Sequence, residues 1–189
     1  SEKPRNSGLT MVMDKGLSYR EAEDFISSSE NYVDLLKIGF GTSIVTPNLD
    51  KKIALYQEAG IPVYFGGTLF EAFVARNEFP KYVELLKKYK LVICDEAFLS
   101  ITPKGEKESL IPLTQRYDNL LVLRSLTKIF NIPGLRLGYV IGSSKKLKQW
   151  EINRDPWPLN SFAIKAGIDI LSNQKFYGRW IKQIHSWIN

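Results

Sequence analysis

The chain has little of what disulfides, zinc sites and histidine-based catalysis require. Its 189 residues include a single cysteine, Cys94, and a single histidine, His185, so an internal disulfide, a zinc site and a multi-histidine centre are excluded. No apolar run approaches the ~18 residues of a membrane span, and no charged stretch followed by an apolar one opens the sequence. We therefore expect a soluble, cytoplasmic protein with no membrane partner and no metal site.

Positive charge is concentrated in the second half of the chain. Residues 1–90 carry 12 basic and 12 acidic side chains, whereas residues 91–189 carry 14 and 8, which gives the net charge of +6. Only Lys145, Lys146 and Lys148 cluster, and a solvated helix start accounts for them, so no nucleic-acid partner is predicted. A phosphate or sulfate ion is the partner that the excess charge would suit.

Short apolar runs alternate with helical patterns along the chain. The sequence Ser18-Tyr19-Arg20-Glu21 has capping-box spacing and predicts a helix after the first run. Strand–helix alternation at roughly 25–30 residues per unit is typical of parallel βαβ connections. Only about ten residues separate the last two runs, too few for a helical crossover, so the last strand is predicted to be antiparallel. The strand candidates are residues 8–14, 33–40, 61–65, 91–98, 120–126 and 137–141.

The pattern predicts an α/β fold with one three-layer, doubly wound sheet. Because an open sheet needs helices on both faces, we expect six mostly parallel strands in the order 2-1-3-4-5-6 rather than a closed barrel. A barrel-like order of 1-2-3 for the first three strands stays open. We expect residues 1–189 to form a single domain built from two fragments, 1–90 and 91–189, because no Gly/Ser/Pro-rich linker separates them.

Charged and small residues follow each of the first three strands, where parallel sheets bind their ligands. Lysine ammonium groups and glycine amides from neighbouring strands could together hold an anionic, phosphate-bearing substrate. The alternative is that the glycines only form tight turns. The candidate residues are Asp14, Lys15 and Gly16 after the first run, Lys37, Gly39, Gly41 and Thr42 at the second, and Gly66, Gly67 and Thr68 after the third.

Three segments of the first half carry a family resemblance: KPRNSGLTMVMDKG, VDLLKIGFGTSIV and IPVYFGGTLFEAF. Through them residues 3–90 resemble the amino-terminal part of phosphosulfolactate synthase, a (β/α)8-barrel family that adds sulfite to phosphoenolpyruvate with magnesium. The resemblance implies that part of that family's phosphate and carboxylate site lies here at Asp14, Lys15, Lys37, Thr42, Gly67 and Thr68. It covers only the first three βα units of the barrel, so the parent activity requires groups that these residues do not supply.

Charged residues of the second half follow apolar strands in an order that indicates a cofactor site. LVICDEAF places Asp95 and Glu96 at the end of one strand, LVLRSLTK places Lys128 just past another, and PGLRLGY places Arg136 eight residues later. A lysine for a Schiff base, an aspartate for a pyridinium nitrogen and an arginine for a phosphate are the charged groups that a pyridoxal phosphate site needs. An isolated lysine after a strand is usually only solvated, but this set points to that cofactor.

Residues 91–172, through RDPWPLNSFAIKAGI, resemble threonine-phosphate decarboxylase and the similar histidinol-phosphate aminotransferase, both fold-type I pyridoxal phosphate enzymes. The resemblance implies that Lys128 forms the Schiff base, that Asp95 pairs with the ring nitrogen, and that Ser125 and Arg136 bind the phosphate. The family's glycine-rich phosphate loop, ring-stacking aromatic residue, asparagine and carboxylate-binding arginine have no counterpart in this chain.

Two families of different folds thus meet near Lys90. We predict a chimera, designed or recombined, that has no complete active site, no turnover, no required cofactor or partner, and a tendency to self-associate through exposed apolar surface. Two enzyme alternatives stay open: residual pyridoxal phosphate binding at a vestigial Lys128, and residual phosphoenolpyruvate or sulfite chemistry around Asp14, Lys15 and Lys37. A third is a non-catalytic binding module that phosphate or sulfate would stabilise.

Overall fold

A computed structural model describes residues 3–102 and 104–188 of the chain. It divides into two compact units, Ser1–Phe79 and Pro80–Asn189, and each contains a three-stranded sheet flanked by helices. The α/β class is confirmed, and the described residues form no closed barrel. The single-domain organisation of residues 1–189 stays a prediction.

The first unit is a parallel sheet with its two long helices packed on one face. Leu36 and Ile38 of the middle strand are buried against Ala22 and Tyr56 of the two long helices, which also pack on each other. Consecutive parallel strands are joined by right-handed crossovers, which place both helices on the same side. The strands are β1 (Met11–Asp14), β2 (Leu35–Ile38) and β3 (Val63–Phe65), and the helices are α1 (Tyr19–Ser29), α2 (Leu49–Glu58) and α3 (Leu69–Ala75).

The strand order in this unit corrects the predicted 2-1-3. β1 pairs with β2, Met11 opposite Leu35, and β2 pairs with β3, Leu36 opposite Val63, so the order is 1-2-3. An order of 2-1-3 would need a helix on each face, whereas α1 and α2 share one core. The barrel-like alternative is the order that the chain adopts.

The start of α1 confirms the predicted capping box. The Ser18 hydroxyl accepts a hydrogen bond from the Glu21 amide at 3.2 Å, and the Glu21 carboxylate accepts one from the Ser18 amide at 2.7 Å. Two amides that a helix start leaves unpaired are therefore satisfied locally.

The second unit has a mixed sheet in the order β4-β5-β6. β4 runs parallel to β5, and β5 runs antiparallel to β6, with Ser125 opposite Gly138. The antiparallel last strand is confirmed, as the short connection required. The strands are β4 (Val92–Asp95), β5 (Leu120–Ser125) and β6 (Gly138–Gly142), and the helices are α4 (Phe79–Lys88), α5 (Leu126–Ile129), α6 (Ser144–Glu151), α7 (Ser161–Ser172) and α8 (Gln174–Ile188).

All six predicted strands are present. The prediction that they form one six-stranded, doubly wound sheet is wrong. Within the described residues the strands form two separate three-stranded sheets. β3 has only three residues, so it offers few backbone groups for hydrogen bonds to a further strand. Apolar runs locate strands, but they do not determine which strands pair.

Candidate functional site

The carboxyl ends of β1, β2 and β3 bring the first-half candidates to one edge of the sheet. The Gly39 amide donates to the Asp14 carbonyl at 2.9 Å, and the Gly66 amide donates to the Ile38 carbonyl at 2.7 Å. The three strands therefore end level with one another, and Lys15 and Thr68 follow directly from this edge. The strand ends and the loops after them are therefore neighbours, and the ligand that they would hold stays a prediction.

Lys37 and Asp14 lie on opposite faces of the sheet. Asp14 is paired with Ile38, which is buried on the helix face, and Lys37 is one residue earlier and so points the other way. The Lys37 side chain crosses Gly66, where any added Cβ would collide with its Cε atom. Glycine at 66 therefore gives Lys37 its path along the face opposite α1 and α2.

Asp14 is occupied by a buried ion pair. Its carboxylate lies 2.8 Å from the Lys52 amine, accepts a hydrogen bond from the Tyr56 hydroxyl at 3.0 Å, and accepts further hydrogen bonds from the Gly16 and Leu17 amides at 2.8 Å each. Burial alone would raise the pKa of Asp14, but the Lys52 hydrogen bond and the two amides outweigh it and lower the pKa below its ordinary value. In this arrangement Asp14 joins β1 to α2.

Sequence reasoning missed Lys52 and Tyr56. Lys52 is 1% exposed, and its amine also donates to the Leu17 carbonyl at 2.6 Å. The available signal was their spacing, since a lysine four residues before a tyrosine shares that residue's helix face. A charged residue on an apolar face indicates a buried partner.

The loops after β2 and β3 carry backbone strain. Phe40 has φ 52° and Thr68 has φ 74°, in the left-handed region that side chains other than glycine rarely adopt. The Lys15 amine lies 5.9 Å from the centre of the Phe40 ring, and the Thr42 hydroxyl donates to the Gly39 carbonyl at 2.7 Å. Strained backbone of this kind often occurs at binding sites. The space beside Gly67 is open, since nothing lies within 4 Å of a Cβ built there.

The second unit brings its four candidates to one end of its sheet. Asp95 ends β4 and Ser125 ends the neighbouring parallel β5 on the same face. Lys128 lies in the helical turn that follows, and the pairing of Ser125 with Gly138 places Arg136 beside that turn. All four residues therefore lie near the same end of the sheet, and their common role stays a prediction.

The local contacts of these four residues are weak and exposed. Asp95 accepts one hydrogen bond, from the Ala97 amide at 3.0 Å. The Lys128 amine lies 5.2 Å from the centre of the exposed Phe98 ring, and within the described residues no ion pair involves it. Arg136 has φ 50° and donates to the Pro133 carbonyl at 3.4 Å. The groups remain available to an anion or an aldehyde.

A buried polar cluster lies on the other face of this sheet. The Arg124 guanidinium lies 2.9 Å from Glu96 and donates to both Glu106 oxygens at 2.6 and 2.7 Å. It also donates to the Ser100 and Ser109 hydroxyls at 3.0 and 2.9 Å. Burial raises the pKa of Glu96 despite these contacts. The cluster fastens the loop after β4 to β5, and sequence reasoning missed it because its members lie far apart in the chain.

Neither a metal cluster nor a membrane-spanning helix occurs in the part of the chain that the structure describes. No group of three or more histidine, cysteine, aspartate or glutamate side chains there could hold a metal ion. Magnesium takes one or two protein carboxylates beside substrate phosphates, and because the Asp14 carboxylate is already paired with Lys52, we derive no step through that ion. Among the helices described, none combines the length and the apolar character that a membrane crossing requires.

Known proteins of two families each match part of the chain. Phosphosulfolactate synthase of Bacillus subtilis is 39% identical over 85 residues, which is 43% of this chain and 34% of that protein. A provisionally named threonine-phosphate decarboxylase of Caldanaerobacter subterraneus subsp. tengcongensis is 35% identical over 109 residues, 56% of this chain and 29% of that protein. The alignments thus span about a third of the length of these curated relatives, and both predicted resemblances are confirmed.

The fold and the family come from two further matches. The crystal structure of the histidinol-phosphate aminotransferase from Clostridium acetobutylicum superposes with a TM-score of 0.55 at 21% identity, covering 90% of this chain and 56% of that one, which shows a shared fold. The model of the family (2R)-phospho-3-sulfolactate synthase (ComA) matches residues 1–131, well beyond the boundary predicted near Lys90. Because that match covers more than half of its length, the chain belongs to the (2R)-phospho-3-sulfolactate synthase family.

Proposed function

We propose that the chain is a recombined fusion: an α/β scaffold that carries fragments of two enzyme families and completes neither reaction. The observation that carries the proposal is the extent of the matches, about a third of each curated relative. Within the described residues, each set of candidate residues lies at the end of a three-stranded sheet that is not part of a closed barrel.

The chemistry supports the absence of turnover. Rate enhancement depends on several groups held in register, so a partial set loses many orders of magnitude. In the first unit the Asp14 carboxylate already binds Lys52 and Tyr56 and faces away from Lys37. The Lys37 ammonium group and the strained loops after β2 and β3 remain for a ligand. They favour binding of an anion without a reaction.

Direct assays test this proposal. Formation of phosphosulfolactate from sulfite and phosphoenolpyruvate with magnesium, and decarboxylation or transamination of phosphorylated amino acids with pyridoxal phosphate, are each measured against Lys37→Ala and Lys128→Ala. We expect no product above these variants. Turnover that either substitution abolishes would overturn the proposal.

A second candidate function is capture of pyridoxal phosphate without turnover. The observation that favours it is that Asp95, Ser125, Lys128 and Arg136 all lie near the same end of the second sheet. The donor set fits the cofactor, since Lys128 would hold its aldehyde, Asp95 would face its ring nitrogen, and Ser125 and Arg136 would bind its phosphate. When bound, the cofactor supplies an electron sink.

Covalent trapping tests the second candidate. The chain is incubated with pyridoxal phosphate, reduced with borohydride and mapped by peptide mass spectrometry, beside Lys128→Ala and the matched exposed control Lys148→Ala. Specific capture predicts labelling at residue 128 that inorganic phosphate competes away and that only Lys128→Ala removes. Equal labelling of many lysines would contradict it.

A further inference from the structure

The second sheet has a further end, opposite its candidate site, where β4 and β5 begin and β6 ends. The Asn119 side-chain amide donates to the Leu86 and Tyr89 carbonyls at 2.7 Å each, which fastens the segment before β5 to the end of α4. The Ser143 hydroxyl donates to the Asp118 carbonyl at 3.4 Å, which brings the start of α6 beside the same segment. Three segments that lie far apart in the chain are therefore neighbours in space: residues 87–90, 116–119 and 143–146.

These three segments carry most of the net positive charge of the chain. They contain six basic side chains and one acidic side chain, Asp118, whereas the whole chain has a net charge of +6. The expectation that no nucleic acid binds rested on the lysines of α6 alone, and the fold adds four cations from the other two segments. We call this surface the basic end, and its cations are the exposed Lys87, Lys88, Lys90, Arg116 and Lys145 and the half-buried Lys146.

Cations of separate segments act on one another across the basic end. The Glu84 carboxylate, 2.9 Å from the Lys87 amine, raises the pKa of Lys87, and the Arg116 guanidinium opposes that shift through its charge. Exposed charges are largely screened beyond about 10 Å, so Lys87 and Arg116 lie on one surface although α4 and the segment before β5 are distant in sequence. Clustered cations attract a partner that carries a row of negative charges.

Two tyrosines lie among these cations. The Lys88 amine is 5.6 Å from the centre of the Tyr89 ring, and the Arg116 guanidinium carbon is 5.9 Å from the centre of the Tyr117 ring. Both tyrosines are partly exposed. Cations interleaved with aromatic rings are typical of proteins that bind single-stranded nucleic acid, because the phosphates contact the cations while unpaired bases stack on the rings. A duplex keeps its bases inside and would leave the rings unused.

We propose that the basic end binds single-stranded nucleic acid, with its cations on the phosphates and the Tyr89 and Tyr117 rings under the bases. The strand crosses the end of the sheet, where neighbouring β-strands lie ~4.8 Å apart, and each of the three segments contributes at least one cation. Contacts to phosphates and ring faces carry little sequence information, so binding is independent of base sequence. The inference does not depend on the proposed function, since it uses no residue of either candidate site.

Fluorescence anisotropy of the full chain with a labelled oligothymidylate tests the proposal. The probe has about 20 nucleotides, more than the ~4–16 that a small single-strand-binding fold covers. We expect it to bind more tightly than a duplex of the same length, with an affinity that falls as salt rises. The double variant Lys90→Gln/Lys145→Gln removes one cation from each of two segments. It should lower the affinity at least tenfold and reduce the slope of log affinity against log salt by about 1.4, since each lost phosphate contact removes ~0.7.

The matched control removes two equally exposed charges from another part of the same unit. Lys175→Gln/Lys182→Gln lies on α8, which packs beyond the other end of the sheet, where the Trp180 indole donates to the Ile129 carbonyl at 2.5 Å. This variant should bind the oligothymidylate within twofold of the unchanged chain. Equal losses in the two double variants would overturn the proposal, because the binding would then follow net charge and not the basic end.

A third variant tests the rings. Tyr117→Leu, with unchanged circular dichroism, should weaken binding of the single strand at least fivefold and leave the salt slope unchanged, because it removes a stacking surface but no charge. Equal affinity for the single strand and the duplex would overturn the proposal. So would binding to vesicles that contain phosphatidylserine without binding to the oligothymidylate, since the partner would then be a lipid surface.

Discussion

At the scale of single residues, the strongest interactions are buried ion pairs that composition does not reveal. Asp14 and Lys52 are 38 positions apart in the chain, and Arg124 and Glu96 are 28 apart. Charged side chains are exposed by default, and a local pattern such as the Lys52/Tyr56 spacing can indicate a buried charge but does not identify its partner. Asp14 was predictable as a residue at a strand end, but its partner and its direction depend on how α2 packs.

Lys52→Met is expected to lower the free energy of unfolding by about 3 kcal/mol or more, because it leaves the buried Asp14 carboxylate without its counter-charge. Urea unfolding followed by far-ultraviolet circular dichroism measures the loss. Lys51→Met, at the exposed neighbouring position, is the control and should change the free energy by no more than about 0.5 kcal/mol. Equal effects of the two variants would show that the ion pair does not stabilise the fold.

Asp14 also predicts a pH dependence of stability. Its pKa is lowered in the folded chain, so its contribution is present above the ordinary carboxyl pKa of about 4 and is lost as the pH falls through the folded-state value. The free energy of unfolding should therefore fall less steeply below about pH 4 in Asp14→Asn than in the unchanged chain or in the exposed control Asp24→Asn. Identical slopes would contradict the assignment.

At the scale of elements, the helix starts and strands with local signals were predictable. The capping box at Ser18 begins α1, and the short link between β5 and β6 makes them antiparallel. These features depend on residues a few positions apart, where hydrogen bonds and chain length decide the geometry.

Ser18→Ala is expected to lower the free energy of unfolding by about 1 kcal/mol, because it leaves the Glu21 amide without its acceptor. Ser27→Ala, inside the same helix, is the control and should be neutral or slightly stabilising, since alanine favours the helix interior. Thermal and urea midpoints measure both. A Ser18→Ala variant as stable as the control would contradict a role for the cap.

At the scale of the whole molecule, the sequence patterns predicted the class of fold but not the pairing of strands. The apolar runs of β3 and β4 give no sign that their sheets are separate, because pairing is decided by backbone contacts between distant segments. Each candidate set could be located at a sheet end from the sequence. That Lys37 and Asp14 lie on opposite faces of the sheet could not be foreseen.

The predicted single domain has a measurable consequence. All four tryptophans, Trp150, Trp157, Trp180 and Trp187, lie beyond residue 79, so their fluorescence reports on the second unit alone. If residues 1–189 unfold as one cooperative domain, Lys52→Met should lower the urea midpoint of the fluorescence transition as much as that of circular dichroism. A fluorescence midpoint unaffected by Lys52→Met would indicate two independent folding units.

The left-handed backbone at Phe40 and Thr68 also bears on how the chain would evolve. Glycine adopts φ 52° and 74° at no steric cost, so a library selected for survival at rising temperature should enrich glycine at positions 40 and 68 before it changes the packed interior. If instead phenylalanine and threonine persist at these positions under selection for anion binding, their side chains are retained because they contribute to binding, despite the conformational cost.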